Sequence, residues 1–257
     1  MNELRLAEVA SFIENHIGPG FHDKKIDKVK RLTLNDVLRR KNPYLYRAKA
    51  TLTANDYITA VLDATASSAE ETVFGNFLER VAVFVCESVF KGRKSSAVGI
   101  DLEFDYENTR YLVAIKSGPK WGNSSSRAKL KTNFITARKT LSTSGGLEGR
   151  SIEFIEGCCY GIDNNFKKDF HRKLCGQRLW EFISGGNEQL YTQLIEPIGF
   201  SANERNDELK VLYAAKLNLF TAEFIERFCD AGVINWQRLV TYNSGKHVPI
   251  IPRLDTA

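Results

Sequence analysis

A two-residue turn between two alternating apolar runs is the feature that most constrains how this chain can fold. Apolar residues occupy every second position in residues 98–104 and again in residues 111–115, with Glu107-Asn108 between them. This alternation around a short turn predicts an antiparallel β-hairpin. Closing the turn at Tyr106 and Thr109 fixes the cross-strand pairs as Asp105 with Arg110, Glu103 with Leu112 and Asp101 with Ala114.

Charge is concentrated on one face of this hairpin. Side chains alternate between the faces of a strand, so Asp101, Glu103, Ala114 and Lys116 share one face. The opposite face is apolar and is predicted to pack on a core. Two carboxylates and a lysine at the end of a half-buried strand are energetically costly unless something is bound there. The hairpin is therefore predicted to carry a functional site.

The residues around Asp101 and Lys116 resemble the active-site pattern of the PD-(D/E)xK nuclease superfamily. In that pattern an Asp precedes a hairpin whose second strand ends hydrophobic-x-Lys, as residues 113–116 do with Val-Ala-Ile-Lys. The longer blocks Gly-Ile-Asp-Leu-Glu-Phe, Val-Ala-Ile-Lys-Ser-Gly-Pro-Lys-Trp-Gly-Asn and Gly-Cys-Cys-Tyr-Gly are similar to those of type II restriction endonucleases. The resemblance covers residues 70–165.

The resemblance implies a fold and an activity. The fold would be α/β (α+β), a PD-(D/E)xK core with a mixed central sheet flanked by helices and with helical additions at both ends. We expect a helical region over 1–90, a nuclease core over 91–175 and a helical region over 176–257 packed on the core as one compact domain. The implied activity is Mg²⁺-dependent hydrolysis of double-stranded DNA at a short specific sequence, by a homodimer.

The chemistry of phosphodiester hydrolysis explains why these residue types are wanted. Mg²⁺ prefers oxygen ligands, and it offsets charge on the transferring phosphate. Asp101 supplies one oxygen, and the resemblance implies the backbone carbonyl of Ile115 as a second. Lys116 would orient or help to deprotonate the attacking water, and its charge would complement the phosphate.

Ala114 departs from the family pattern, because an Asp or Glu usually stands two residues before the lysine. Three readings remain open. The acid is supplied from elsewhere in the chain, the sequence carries a deliberate inactivating substitution, or the protein is a catalytically inactive DNA-binding protein. A repair or mobile-element nuclease on the same core is a further alternative.

Two acids are candidates for the carboxylate that position 114 lacks. Glu103 lies on the same strand face as Asp101, about 7 Å along the strand. Glu79 follows Gly75 by one helical turn in an otherwise apolar helical run, and in the family such a Gly-x-x-x-Glu often faces the metal site. We favour Glu79 slightly and retain Glu103; either could instead be a solvated carboxylate.

Positive charge dominates the sequence after the hairpin. From Lys116 to Leu147 there is no acidic residue, whereas a stretch of this length at the chain average would contain about four. A polar loop leads into a helix predicted over 124–142 and capped by a serine. We expect this stretch to bind DNA, although Trp121 is alternatively a packing anchor. The candidate DNA-binding residues are Lys120, Trp121, Asn123, Ser124, Ser125, Arg127, Lys129 and Lys131.

Composition disfavours several other classes of protein. The chain has 257 residues, is 43% apolar and carries a net charge of +5, which allows a sizeable core and suits a polyanionic partner. Its five cysteines lack Cys-x-x-Cys spacing, which disfavours a zinc site and a disulfide framework. We see no membrane span, signal peptide or Gly-rich phosphate loop. We therefore expect a cytoplasmic protein with neither a membrane partner nor a nucleotide cofactor, and the resemblance to restriction endonucleases implies a prokaryotic one.

Periodicity predicts the elements on either side of the hairpin. Helices are expected over 54–67 and 69–91 before it, and a central strand over 151–160 after it. Three helices are expected over 176–184, 187–196 and 202–231. The tail over 236–252 is predicted to be extended.

Overall fold

The protein is described from a computed structural model, over residues 1–143, 147, 149–200 and 202–245. Its internal contacts separate two units. Unit 1 comprises Met1–Asp23 and Glu71–Ala202, and unit 2 comprises Lys24–Glu70 and Asn203–Ala257. This division cuts across the three successive ranges expected from the sequence, because segments from both parts of the chain contribute to each unit.

Helices precede the sheet. One long helix replaces the two predicted between residues 54 and 91, because the intervening Ser67 and Ser68 are only mildly unfavourable in a helix. The Ser68 hydroxyl also donates a hydrogen bond of 2.9 Å to the Ala64 carbonyl one turn back. The helices are α1 (Leu6–Ile17), a π-helical turn (Gly18–His22), α2 (Asp23–Arg31), α3 (Leu34–Arg39), α4 (Pro43–Ala48) and α5 (Ala54–Phe90).

A mixed four-stranded sheet forms the centre of unit 1. Its strands are β1 (Leu102–Tyr106), β2 (Thr109–Lys116), β3 (Ser151–Cys158) and β4 (Arg172–Cys175), in that spatial order. β1 pairs antiparallel with β2, and the two following pairs are parallel. The hairpin register is the predicted one, from Leu102 opposite Val113 to Tyr106 opposite Thr109. The prediction that the strand after residue 150 is central is also confirmed. Strand β4 was not predicted from the sequence.

Helices cover both faces of this sheet. On one face, apolar side chains of all four strands pack against the C-terminal part of α5, with Phe77, Val81 and Val85 buried. The other face lies under α6 (Ser124–Thr143). That second face is less open than the sequence suggested, since Leu112 and Ala114 are fully buried beneath Leu130, Phe134 and Ala137 of α6.

The chain after the sheet is mostly helical, as predicted, with different boundaries. Unit 1 continues with α7 (Gln177–Ile183), α8 (Leu190–Gln193) and α9 (Ile195–Gly199). Unit 2 contains α10 (Ala202–Phe228), a small hairpin of β5 (Cys229–Asp230) and β6 (Val233–Ile234), and α11 (Trp236–Ser244). The prediction of an extended tail is wrong for 236–244, where the Asn235 side chain caps a helix by accepting from the Arg238 amide. The tail beyond 245 lies outside the described residues.

Unit 2 has an apolar core of its own. Aliphatic and aromatic side chains both contribute to it, and Tyr57 stacks on Phe224 with 5.0 Å between ring centroids. Short helices α3 and α4 and the long α5 and α10 contribute to this core.

Candidate active site

Asp101, Ile115 and Lys116 come together at the carboxyl end of β2. The Asp101 carboxylate accepts a hydrogen bond of 2.6 Å from the Ile115 amide, which holds it beside the second strand of the hairpin. The Lys116 ammonium lies 3.8 Å from the same carboxylate oxygen and donates to the Ile115 carbonyl at 2.8 Å. A positive charge therefore sits against two oxygens, one of a carboxylate and one of the backbone.

Glu79 approaches this cluster from α5. One turn earlier in the helix, a Cβ placed on Gly75 would lie 2.3 Å from the Ser117 hydroxyl, which shows that α5 packs closely against the end of β2 at this position. Glu79 is one turn further along the same helix face. Its side chain is 22% exposed and lies 3.3 Å from the Lys94 ammonium.

Nearby charged groups shift the pKa of the buried Cys159 thiol. Burial is the largest cause of the rise in its pKa to about 12, and the carboxylates of Glu79 and Asp101 also raise it. The Lys116 ammonium lowers it. Both carboxylates and the ammonium thus lie within electrostatic reach of one sulfur atom.

Glu103 is hydrogen-bonded to residues outside the cluster of Asp101, Ile115 and Lys116. One of its carboxylate oxygens accepts from the Arg93 guanidinium at 2.7 Å and the other from the Ser95 hydroxyl at 2.8 Å. The side chain is only 10% exposed, and backbone bonds in both directions join Arg93 to Glu103. The sequence placed Glu103 on the correct strand but could not reveal that residues 93–95 occupy both of its oxygens.

Position 114 lies beside an acid that sequence reasoning missed. Ala114 is fully buried, and its register partner on β3 is Glu156. Burial would raise the pKa of the Glu156 carboxyl, but hydrogen bonds from His171, Lys173 and Trp121 outweigh it and bring the pKa to about 2. The available signal was the single charge in residues 154–159, Phe-Ile-Glu-Gly-Cys-Cys, since such a charge must be paired when the strand is central.

Trp121 is half-buried against the α6 side of the sheet. Its indole nitrogen donates to Glu156 at 2.7 Å, and its ring centroid lies 5.1 Å from the Lys116 ammonium. Trp121 therefore has a specific hydrogen-bond partner, as a packing anchor would. It also borders the cluster of Asp101 and Lys116.

The remaining candidates for DNA contact lie on and before α6. Asn123, rather than a serine, provides the helix cap, because its side chain accepts from the Ser126 amide at 3.0 Å. Lys131 packs over the Phe170 ring at 5.5 Å. None of the basic residues of α6 forms an ion pair with a described residue. The exposed candidates are Lys120, Asn123, Ser124, Ser125, Arg127, Lys129 and Lys131.

The oxygen donors at this site suit a hard cation. Asp101 and Glu79 offer carboxylates and Ile115 offers a carbonyl, and the Lys116 ammonium already stands as a cation against two of these groups. Within the described residues, no group of three or more His, Cys, Asp or Glu side chains could hold a metal ion. A cation here would thus depend on one or two carboxylates, a carbonyl and water, which is how Mg²⁺ is usually bound.

Among the described residues, no helix is both long and apolar enough to cross a lipid bilayer.

Comparison with known proteins identifies the family. No curated protein matches the chain. Residues 7–206, well over half of the sequence, match the family described as Type II restriction endonuclease EcoO109I. The chain therefore belongs to the EcoO109I family of type II restriction endonucleases.

Proposed function

We propose that this chain is a Mg²⁺-dependent type II endonuclease that hydrolyses phosphodiester bonds in double-stranded DNA at a short specific sequence. The observation that carries the proposal is the position of the Lys116 ammonium, 2.8 Å from the Ile115 carbonyl and 3.8 Å from the Asp101 carboxylate, which itself accepts a hydrogen bond from the Ile115 amide. We further propose that the sheet with α5 and α6 is a PD-(D/E)xK core.

Asp101, the Ile115 carbonyl and Glu79 would hold Mg²⁺ in this site. When bound, the cation would offset the negative charge that develops on the transferring phosphate. Lys116 would orient the attacking water and donate hydrogen bonds to a phosphate oxygen. The ammonium lies 3.8 Å from the Asp101 carboxylate, so it is placed beside the proposed cation ligands.

Glu79 is our proposed replacement for the acid missing at position 114. It keeps one carboxylate oxygen without a described partner, and its single ion pair is with Lys94, which is 72% exposed. An exposed pair of this kind is weak and easily exchanged. Glu103, whose two oxygens are both bonded, is less suited to bind a cation.

The α6 face is proposed to bind DNA next to this site. Arg127 and Lys129 are exposed and lack carboxylate partners in the described structure, so their charge remains available to phosphates. We propose that Lys120, Ser124, Ser125 and Lys131 add contacts along the same surface. Asn123 would serve chiefly as the helix cap.

The active enzyme is proposed to be a homodimer in the cytoplasm of a prokaryote. One such site cuts one strand, and a symmetric target is matched by two copies related by a twofold axis. Sedimentation velocity with and without DNA tests this proposal, since a monomer in both conditions would contradict it.

A second candidate function is specific DNA binding without hydrolysis. Ala114 favours it, because the usual acid is absent and the position is sealed under α6. A repair or mobile-element nuclease would instead cleave without preference for one short sequence.

The proposed function is tested by incubating methylation-free phage DNA with the chain in Mg²⁺ or in EDTA. We expect discrete fragments only with Mg²⁺, and none from Asp101→Asn. Asparagine can still accept the hydrogen bond from Ile115, so this variant should fold and bind DNA. Cleavage by Asp101→Asn at the parental rate would refute the site assignment, and a smear would favour the less specific nucleases.

A further inference from the structure

We propose that Glu156 is a positioning residue, which holds Trp121 against Lys116 and thereby fixes the Lys116 ammonium in the active site. The anchoring itself is inferred from contacts alone. Its effect on cleavage rests on the proposed function.

The first observation is a row of residues across the sheet. Ala114, Glu156 and Lys173 are register partners on β2, β3 and β4, so their side chains project from the same face. The carboxylate and the ammonium form an ion pair of 2.7 Å, and the two side chains are 6% and 8% exposed. A buried pair of this kind is strongly constrained in position, because neither charge can be left alone.

The second observation is that the Glu156 carboxylate has no free oxygen. One oxygen accepts from the Trp121 indole and the Lys173 ammonium, each at 2.7 Å, and the other contacts His171 at 3.0 Å. Glu156 is therefore not available as a cation ligand, although it neighbours Ala114. One of its partners, Trp121, belongs to the loop that follows Lys116.

The third observation concerns this loop, residues 117–123. Lys173 donates to the Pro119 carbonyl at 2.8 Å, so both members of the buried pair bind the loop. Gly118 packs on the Tyr160 ring so closely that a Cβ would lie 2.5 Å from a ring carbon. Gly122 then takes a φ of 61°, which turns the chain into α6.

These contacts determine where the Lys116 ammonium lies. The Trp121 ring is attractive to a cation over its face, and the ammonium sits 5.1 Å from the ring centroid while it donates to the Ile115 carbonyl. If the indole lost its bond to Glu156, the ring would be free to turn and Lys116 would lose one of its supports. A displacement of about 1 Å in such a group can cost about a hundredfold in rate.

The test uses the full chain, whose three tryptophans are replaced by 5-fluorotryptophan. The ¹⁹F line of Trp121 is identified by its loss in Trp121→Phe. We compare Glu156→Gln, and also Glu156→Leu combined with Lys173→Met, which removes both charges together and so avoids an unpaired buried ion. Glu153→Gln is the matched control, since Glu153 is on the same strand but pairs with Arg172 away from the loop.

We expect the Trp121 line to move in both Glu156 variants and to stay in place in the control, with the lines of Trp180 and Trp236 unchanged. The kcat for cleavage should fall about a hundredfold with little change in KM for DNA. Trp121→Phe, which keeps an aromatic face for Lys116, should retain more activity than Trp121→Ala.

An unmoved Trp121 line in the folded double variant would overturn the anchoring. A moved line with parental kcat would overturn the effect on Lys116. If the parent chain itself fails to cleave DNA, the proposed function fails, while the ¹⁹F spectrum still decides whether Glu156 holds Trp121.

Discussion

The four acids on and around the hairpin differ in how many of their carboxylate oxygens already accept hydrogen bonds. Glu103 and Glu156 each have both oxygens occupied by side-chain donors. Asp101 and Glu79 have fewer partners, and theirs are a backbone amide and an exposed or half-buried ammonium. A cation needs oxygen lone pairs that are not already committed. This residue-level difference is why we propose Asp101 and Glu79, and neither Glu103 nor Glu156, as the carboxylates of a metal site.

Substituting each of the two candidate acids separates their roles. Glu79→Gln is expected to lower the rate of cleavage about a hundredfold with little change in stability, because it removes a charge that stabilises the transition state through the cation. Glu103→Gln is expected to lower the free energy of unfolding by about 1–2 kcal/mol, because it weakens a nearly buried hydrogen-bonded pair, and to leave the rate near the parental value. Single-turnover cleavage and urea unfolding are the measurements. The reverse pattern would assign the acid to Glu103.

Glu156 should also leave a signature in the pH dependence of stability. Its pKa falls from 4.5 to about 2, so its stabilising contribution is present above pH 4.5 and is lost as the pH falls towards 2. Between about pH 5 and about pH 3, the parent chain should lose about 2 kcal/mol more than Glu156→Gln. Urea unfolding at both pH values measures the difference. Equal losses in the two proteins would mean that the carboxylate is not held as described.

At the scale of elements, the hairpin and α6 were predictable for different reasons. The hairpin follows from local alternation and a two-residue turn, in which Glu107 takes the positive φ of 51° that a tight turn requires. α6 was predicted over 124–142 and spans Ser124–Thr143, although Asn123 rather than a serine caps it, and its basic, acid-free composition was already visible in the sequence. That α6 seals Ala114 on the sheet was not visible, because it depends on how β3 pairs beside β2.

The charge on α6 yields a prediction about salt dependence. Arg127→Ala or Lys129→Ala should weaken DNA binding and reduce the slope of log K against log salt by about 1 each, without changing the cleavage position. Fluorescence anisotropy across a salt series provides the slope. Lys91→Asn is the matched control, since it removes one exposed charge and asparagine tolerates the φ of 55° at that position. If the control has the same effect as the α6 variants, α6 has no special part in binding.

At the scale of the whole molecule, the sequence allowed local structure to be predicted better than assembly. The hairpin register and the strand after residue 150 were predicted from patterns within short segments, and the mixed α/β class was implied by the resemblance to the nuclease superfamily. Interleaved units cannot be inferred from local periodicity, since they depend on packing between segments far apart in the chain. The Glu156 and Lys173 pair is of the same kind, because it forms only when β4 joins β3 in parallel. β4 itself, with four residues, is too short to show a period.

We propose above all that this chain is an active nuclease although it has Ala114 in place of an acid. The most direct measurement is cleavage of methylation-free phage DNA in Mg²⁺ by the parent chain, which has Ala114, and by Ala114→Glu. We predict discrete fragments from the parent chain and no faster cleavage by Ala114→Glu, because a carboxylate at position 114 would be buried beside Glu156. Fragments from Ala114→Glu alone would contradict the account and mean that the site is disabled in this sequence. DNA binding without fragments from either protein would instead favour the binding protein.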